Sequence, residues 1–122
     1  MRRDVIFIAD STIDVVEIEA TLNKAGYSTL ANGNRLTICR SPVEKDSISV
    51  EIESKCDDFY GYEDNELSCI RQIIPNPQMI YLHFRDQELS AEISRILLNS
   101  YDMVFDDDHG NITYKGKPLI CE

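Results

Sequence analysis

The sequence has no apolar run that approaches the roughly 20 residues needed to cross a bilayer. The longest run near the start, Val5 to Ala9, is shorter than the about 7 to 15 residues of a signal-peptide core. We therefore expect a cytoplasmic protein with no part in a membrane. Its 122 residues lie in the usual range for one domain, and no linker, repeat or low-complexity tract divides them. We expect a single domain over residues 1–122.

Residues that could hold a metal or carry out catalysis are also few. The two histidines, His83 and His109, are isolated in the chain. The four cysteines contain no C-x-x-C pair: Cys39, Cys56, Cys69 and Cys121. None of the motifs G-x-G-x-x-G, G-x-x-x-x-G-K-[ST], H-E-x-x-H or G-x-S-x-G occurs. We therefore expect no metal, no cofactor and no enzymatic activity, and a small acid–base enzyme is the least favoured hypothesis.

Positive charge is scarce as well. The chain has 12 lysines and arginines against 22 acidic residues, which gives a formal net charge of -10. Nucleic acids and anionic membranes are bound mainly through lysine and arginine, so both are disfavoured as partners. The field of such a chain attracts a basic partner and accelerates its encounter. Acidity that serves solubility alone is the alternative.

The first half of the chain shows strand and helix periodicities in turn. The apolar run at residues 4–9 predicts a strand that is buried on both faces. Apolar residues then recur at helical spacing over residues 11–25. Asn32-Gly33 predicts the two-residue turn of a hairpin. Strict alternation of apolar and polar residues over 47–53 predicts a third antiparallel strand with one buried and one solvent-exposed face.

The second half repeats this succession and ends in a hairpin. The pattern predicts a short helix at 67–74, a strand at 79–84 and a second clear helix at 87–99. The hairpin strands are predicted at 103–106 and 112–115. The fold class is therefore α+β: a single mixed or largely antiparallel sheet, covered on one side by two main helices, with a C-terminal β-hairpin.

Two acidic segments are the most distinctive features of the sequence. Residues 55–66, KCDDFYGYEDNE, interleave five carboxylates with three aromatic rings, and FDDDHGN occupies the predicted tip of the last hairpin. Tyrosine serves as an interface anchor, and carboxylates pair with lysine and arginine of a partner. The predicted partner-binding residues are Asp57, Asp58, Tyr60, Tyr62, Glu63, Asp64, Glu66, Asp106, Asp107 and Asp108. The alternative is an ordinary solvated loop in which Phe59 and one tyrosine pack into the core and the carboxylates only remain solvated.

Calcium binding at FDDDHGN is a weaker hypothesis. Three consecutive carboxylates and Asn111 offer oxygen ligands, but an EF-hand loop alternates its ligands and closes with a glutamate at its twelfth position. We favour a polar hairpin tip, in which aspartate and glycine satisfy the turn geometry and His109 occupies a turn position.

The segments CDDFYGYEDNE and FDDDHGN, within a small acidic α+β chain that lacks a catalytic signature, give a sequence that resembles the immunity proteins of bacterial polymorphic toxins. These include the immunity proteins of contact-dependent growth inhibition systems. The resemblance is one of overall character, without a motif match. It implies that the protein binds one cognate basic toxin domain in the cytoplasm, such as a nuclease, and occludes its active site without catalysing any reaction.

A regulatory module is the second functional hypothesis. The succession β-α-β-β followed by β-α-β also suits a ferredoxin-like or ACT-like module that binds a small molecule or dimerises through its sheet. A glycine-rich loop after the first strand would favour this hypothesis, but the sequence there is ADSTID. The oligomeric state is not given by the sequence.

Overall fold

The computed structural model describes residues 3–39, 48–53, 62–85, 87–107 and 111–119. The three helices are α1 (Val15–Lys24), α2 (Asp64–Ile73) and α3 (Gln87–Ser100). The strands are β1 (Arg3–Asp10), β2 (Ser28–Asn32), β3 (Arg35–Cys39), β4 (Ile48–Glu53), β5 (Pro77–Phe84), β6 (Val104–Asp106), β7 (Ile112–Tyr114) and β8 (Lys117–Pro118). Within these ranges no helix is long and apolar enough to cross a membrane.

The eight strands of the described ranges join one antiparallel sheet in the order β2-β3-β4-β5-β1-β6-β7-β8. The α+β class and the C-terminal hairpin are confirmed. The two-residue strand β8, which extends that hairpin, was not predicted. β1 lies between β5 and β6 and is paired on both edges, so it forms the middle of the sheet although it comes first in the chain.

The helices divide between the two faces of the sheet. α1 and α3 cover one face, here called the helix-pair face, where the largest cluster of buried side chains includes Phe7 of β1. α2 covers the opposite face, here called the α2 face, where Ile8 of β1 packs with Ile70. Phe7 and Ile8 are both fully buried, which confirms that the first strand is buried on both faces.

The two main helices, α1 and α3, therefore lie on one face as expected, whereas the expectation that no helix covers the other face is wrong, because α2 packs there. The apolar stripe of α2 shows that this helix has a buried side, but helical periodicity carries no information about which face of a sheet receives it. The alternation in β4 that suggested one-sided cover reflects its own position, because α2 packs on residues of β1, β5 and β6, and none of the described side chains of β4 belongs to this cluster.

The first hairpin turns one residue later than predicted. Asn32 still belongs to β2 and pairs with Arg35, so Gly33 and Asn34 form the two-residue turn. Gly33 has a φ of +63°, a conformation that side chains with a Cβ rarely adopt. Glycine at the first central position is the pattern of a type II′ turn, whose twist matches that of the strands.

Candidate functional site

α2 rests on the α2 face of the sheet through a small apolar cluster. Ile70 and Ile74 are buried there against Ile6 and Ile8 of β1 and Val104 of β6. The helix begins earlier than the predicted residues 67–74, because an acidic cap precedes its apolar residues. The Glu66 carboxylate accepts a hydrogen bond from the Glu63 backbone N–H at 3.0 Å, which satisfies a donor left open at the helix start.

A hydrogen bond between Tyr62 and Asp106 ties the start of α2 to the sheet. The Tyr62 hydroxyl donates to Asp106 Oδ2 at 2.5 Å, across a separation of 44 residues in sequence. Asp106 is buried with 8% of its surface exposed, and it pairs in register with Ile6 and Ile112. A carboxylate in such a position is stable only if it is hydrogen-bonded. The pair therefore fixes where α2 begins.

The Tyr62 hydroxyl is held in its protonated form. Burial of the ring raises the pKa of this phenol strongly, and the hydrogen bond and negative charge of Asp106 raise it further. Loss of the proton would bring two negative charges together in a partly buried site. The Tyr62 side chain consequently acts as a hydrogen-bond donor.

The raised pKa predicts how stability depends on alkaline pH. In the unfolded chain Tyr62 loses its proton near its ordinary pKa of about 10, whereas the folded protein keeps it. The stability that this group contributes is thus present below about pH 10 and is lost above it, by up to about 1.4 kcal/mol per pH unit. We expect the stability advantage of the wild type over Tyr62→Phe, measured by urea unfolding, to shrink between pH 9 and 11. A stability advantage that stays constant over this range would contradict the raised pKa of Tyr62 in the folded protein.

The structure brings the two predicted acidic segments together. Besides the Tyr62–Asp106 bond, Glu66 and Asn111 line the same cavity of about 200 Å³ beside Leu119. Asp107 in turn binds Asn111: its Oδ1 accepts from the Asn111 backbone N–H at 3.1 Å and its Oδ2 from the side-chain amide at 2.9 Å. These bonds join the two residues that flank the predicted hairpin tip, whose residues 108–110 lie outside the described residues. The start of α2 and the end of β6 therefore contribute to one acidic surface, defined here as Glu63, Asp64, Glu66 and Asp107.

The predicted partner-binding residues occupy different positions around this surface. Glu63 is the exposed N-cap residue of α2 and Asp64 is exposed in its first turn, while Glu66 and Asp107 are half-buried. Tyr62 and Asp106 face each other beneath the surface. The remaining four lie outside the described residues: Asp57, Asp58, Tyr60 and Asp108. The two exposed carboxylates are thus the described groups best placed to contact a partner.

A second polar cluster, which was not predicted, lies on the α2 face of the sheet at β5, β1 and β4. His83 of β5 pairs in register with Asp4 of β1 on one side and with Ser49 of β4 on the other. The His83 Nδ1 atom lies 2.5 Å from Asp4 Oδ1, and its ring stacks parallel to Tyr81. Arg35 Nη2 donates to Ser49 Oγ at 3.3 Å. The only sequence signal was the alternation that places these residues on one face.

The row Ser49, His83, Asp4 has the residue types of a nucleophile, a base and an orienting carboxylate. A reactive serine must hydrogen-bond to the free nitrogen of the histidine. Among the described contacts the Ser49 hydroxyl binds Arg35 instead. His83 has the satisfied hydrogen bond of a structural sheet histidine, which agrees with the sequence interpretation. The geometry of the row favours a link between β1 and β5 over a catalytic site.

Comparison of the chain with protein-family models, with curated proteins and with solved structures gives no match in any of the three. The acidic surface and its supporting hydrogen bonds are therefore the basis on which a function is proposed.

Proposed function

We propose that this protein is a cytoplasmic immunity protein, which binds a cognate basic toxin domain through the acidic surface and neutralises it by blocking its active site. The observation that carries the proposal is the convergence of the two acidic segments at the Tyr62–Asp106 hydrogen bond. Residues 62–70 include three carboxylates and no lysine or arginine, and the hairpin adds Asp107. The nearest cation in α2, Arg71, lies in its last turn.

The mechanism is electrostatic and steric. Side-chain carboxylates on a fixed scaffold offer oxygen acceptors to the lysines and arginines that line a cleft evolved for an anionic substrate, such as a nuclease cleft. Complementary charge speeds the encounter and selects the partner. Contact over roughly 1,600 Å² with a few buried anchors suffices for nanomolar affinity, which neutralisation of a lethal enzyme demands.

The fixed position of the acids supports this mechanism. The Tyr62–Asp106 hydrogen bond and the Glu63–Glu66 contact hold the first turn of α2 before any partner arrives. Less side-chain and backbone freedom is then lost on binding, which favours affinity. Tyr62 and Asp106 are positioning residues in this proposal, and the exposed Glu63 and Asp64 make the contacts.

The proposal is tested by protection of cells. The reading frame next to the gene is expected to encode a protein with a basic toxin domain. Induction of that domain alone should stop growth of a bacterial host, and coexpression of this chain should restore it. A purified mixture should also elute as one complex. If the domain is toxic and this chain neither binds it nor restores growth, the proposed function is wrong.

A further inference from the structure

The two edges of the sheet differ in how they are protected against pairing with another strand. β8 forms one edge, and it is two residues long and consists of a lysine and a proline, both of which oppose further pairing. β2 forms the other edge with the sequence STLAN, which has neither a charge nor a proline. Within the described ranges no strand lies beyond β2, and four of its five residues are exposed.

The hairpin geometry identifies the backbone groups that this edge presents. Asn32 and Arg35 close the two-residue turn, so they bond to each other. Along an antiparallel strand, the backbone N–H and C=O groups of successive residues point alternately toward and away from a given neighbouring strand. Because those of Asn32 point toward β3, the N–H and C=O groups of Thr29 and Ala31 point away from β3. The β2 edge therefore offers two donors and two acceptors to a neighbouring strand.

Exposed apolar side chains flank the same edge on both faces of the sheet. Leu30 is 73% exposed on the α2 face, and Val16 of α1 is 70% exposed on the helix-pair face. Val16 lies on the helical stripe of Glu19 and Asn23, and the Thr29 hydroxyl lies within hydrogen-bond distance of both, 3.0 Å from Glu19 Oε2 and 2.9 Å from Asn23 Oδ1. Of the large apolar residues described as exposed, the remaining one, Leu98, is only 37% exposed. The two most exposed apolar side chains thus border the one unprotected strand.

We propose that β2 pairs antiparallel with β2 of a second copy of this chain and joins two sheets into one. A two-fold axis at Leu30 places Leu30 opposite its counterpart and Thr29 opposite Ala31, so that about four backbone hydrogen bonds form. The strand is self-complementary because it has no charged residue to repel its copy.

The dimer is weak and is strengthened by salt. A five-residue strand and a few apolar side chains bury less than the roughly 1,000 Å² of a stable interface. Each copy also has a net charge of -10, and salt screens the repulsion between the copies. The acidic surface lies at α2 and β6–β7, toward the other edge of the sheet, so dimerisation leaves it accessible. The dimer is independent of the proposed function.

Sedimentation velocity of the purified full-length chain tests the proposal. The expected mass rises from the 14.0 kDa of one chain toward twice that value as protein concentration increases from about 10 µM to 1 mM, and more steeply in 0.5 M than in 0.05 M NaCl. Leu30→Lys should weaken the dimer and raise its apparent dissociation constant at least tenfold. Gln72→Lys adds the same charge on the exposed side of α2 and should leave the dimer unchanged.

A second variant tests the backbone pairing itself. Ala31→Pro removes an N–H that points away from β3, so the fold is retained while each copy loses one hydrogen bond to the other, two of the about four proposed. We expect this variant to stay monomeric with an unaltered circular dichroism spectrum. A wild-type chain that is monomeric under every condition, or a dimer that survives both Leu30→Lys and Ala31→Pro, would overturn the proposal.

Discussion

Replacement of Asp106 by alanine is expected to lower the free energy of unfolding by about 2 to 3 kcal/mol, the largest loss among the polar contacts of the site. The change removes a charge-assisted hydrogen bond and leaves the partly buried Tyr62 hydroxyl without its acceptor. Because this bond fixes the start of α2, the first turn of the helix should also open more readily. Urea unfolding measures the first effect and amide hydrogen exchange over residues 63–67 the second.

Asp106→Asn is the matched control for this prediction. Asparagine has almost the same shape and still offers an acceptor oxygen to the Tyr62 hydroxyl, so the expected loss is about 1 kcal/mol. The alanine and asparagine variants should therefore differ clearly in stability. Equal stability of Asp106→Ala and the wild type would show that the Tyr62–Asp106 bond does not hold α2 in place.

The double substitution Glu63→Gln and Asp64→Asn should weaken binding of the basic toxin domain by about 10- to 100-fold. Both side chains are exposed at the start of α2, and glutamine at the N-cap position 63 keeps an acceptor oxygen for the capping box, so the fold should tolerate the change. The loss of two negative charges slows the encounter and removes charge-assisted contacts at the interface. Surface plasmon resonance at low salt measures both the rate and the affinity.

A second double substitution, Glu17→Gln and Glu88→Gln, controls for net charge. Both residues are exposed in the first turns of α1 and α3, which lie on the helix-pair face. The net charge changes by the same amount, so a general effect of acidity would weaken binding equally in the two variants. Equal weakening would refute the role of the acidic surface, even if the chain still bound the toxin domain.

The succession of elements could be predicted from sequence because it depends on local periodicity. Alternation in β4 and the apolar run of β1 identified strands, and helical spacing identified α1 and α3. Strand order could not be predicted, because β1 joins β5 and β6 through contacts between residues some 70 to 100 positions apart. The side of the sheet that α2 covers depends on the same long-range pairing.

The two acidic segments of the candidate site could be predicted from the sequence, but their convergence in space could not. Composition singled out the two acidic segments, but their convergence depends on contacts that are distant in sequence: the packing of α2 on the sheet and the Tyr62–Asp106 hydrogen bond. The sequence also grouped these two residues with the exposed acids, since the burial of Asp106 follows from its register beside Ile6. His83 had no visible partner for the same reason, because Asp4 is 79 residues away in the chain.

The most direct test of the central claim is the association rate constant of this chain with the toxin domain as a function of ionic strength, measured by stopped-flow fluorescence. If the acidic surface recruits a basic cleft, the rate constant should fall at least tenfold between about 0.05 M and 0.5 M NaCl. The Glu63→Gln, Asp64→Asn variant should show a smaller decrease. A rate constant that does not change with salt, or that decreases equally in that variant, would contradict the account.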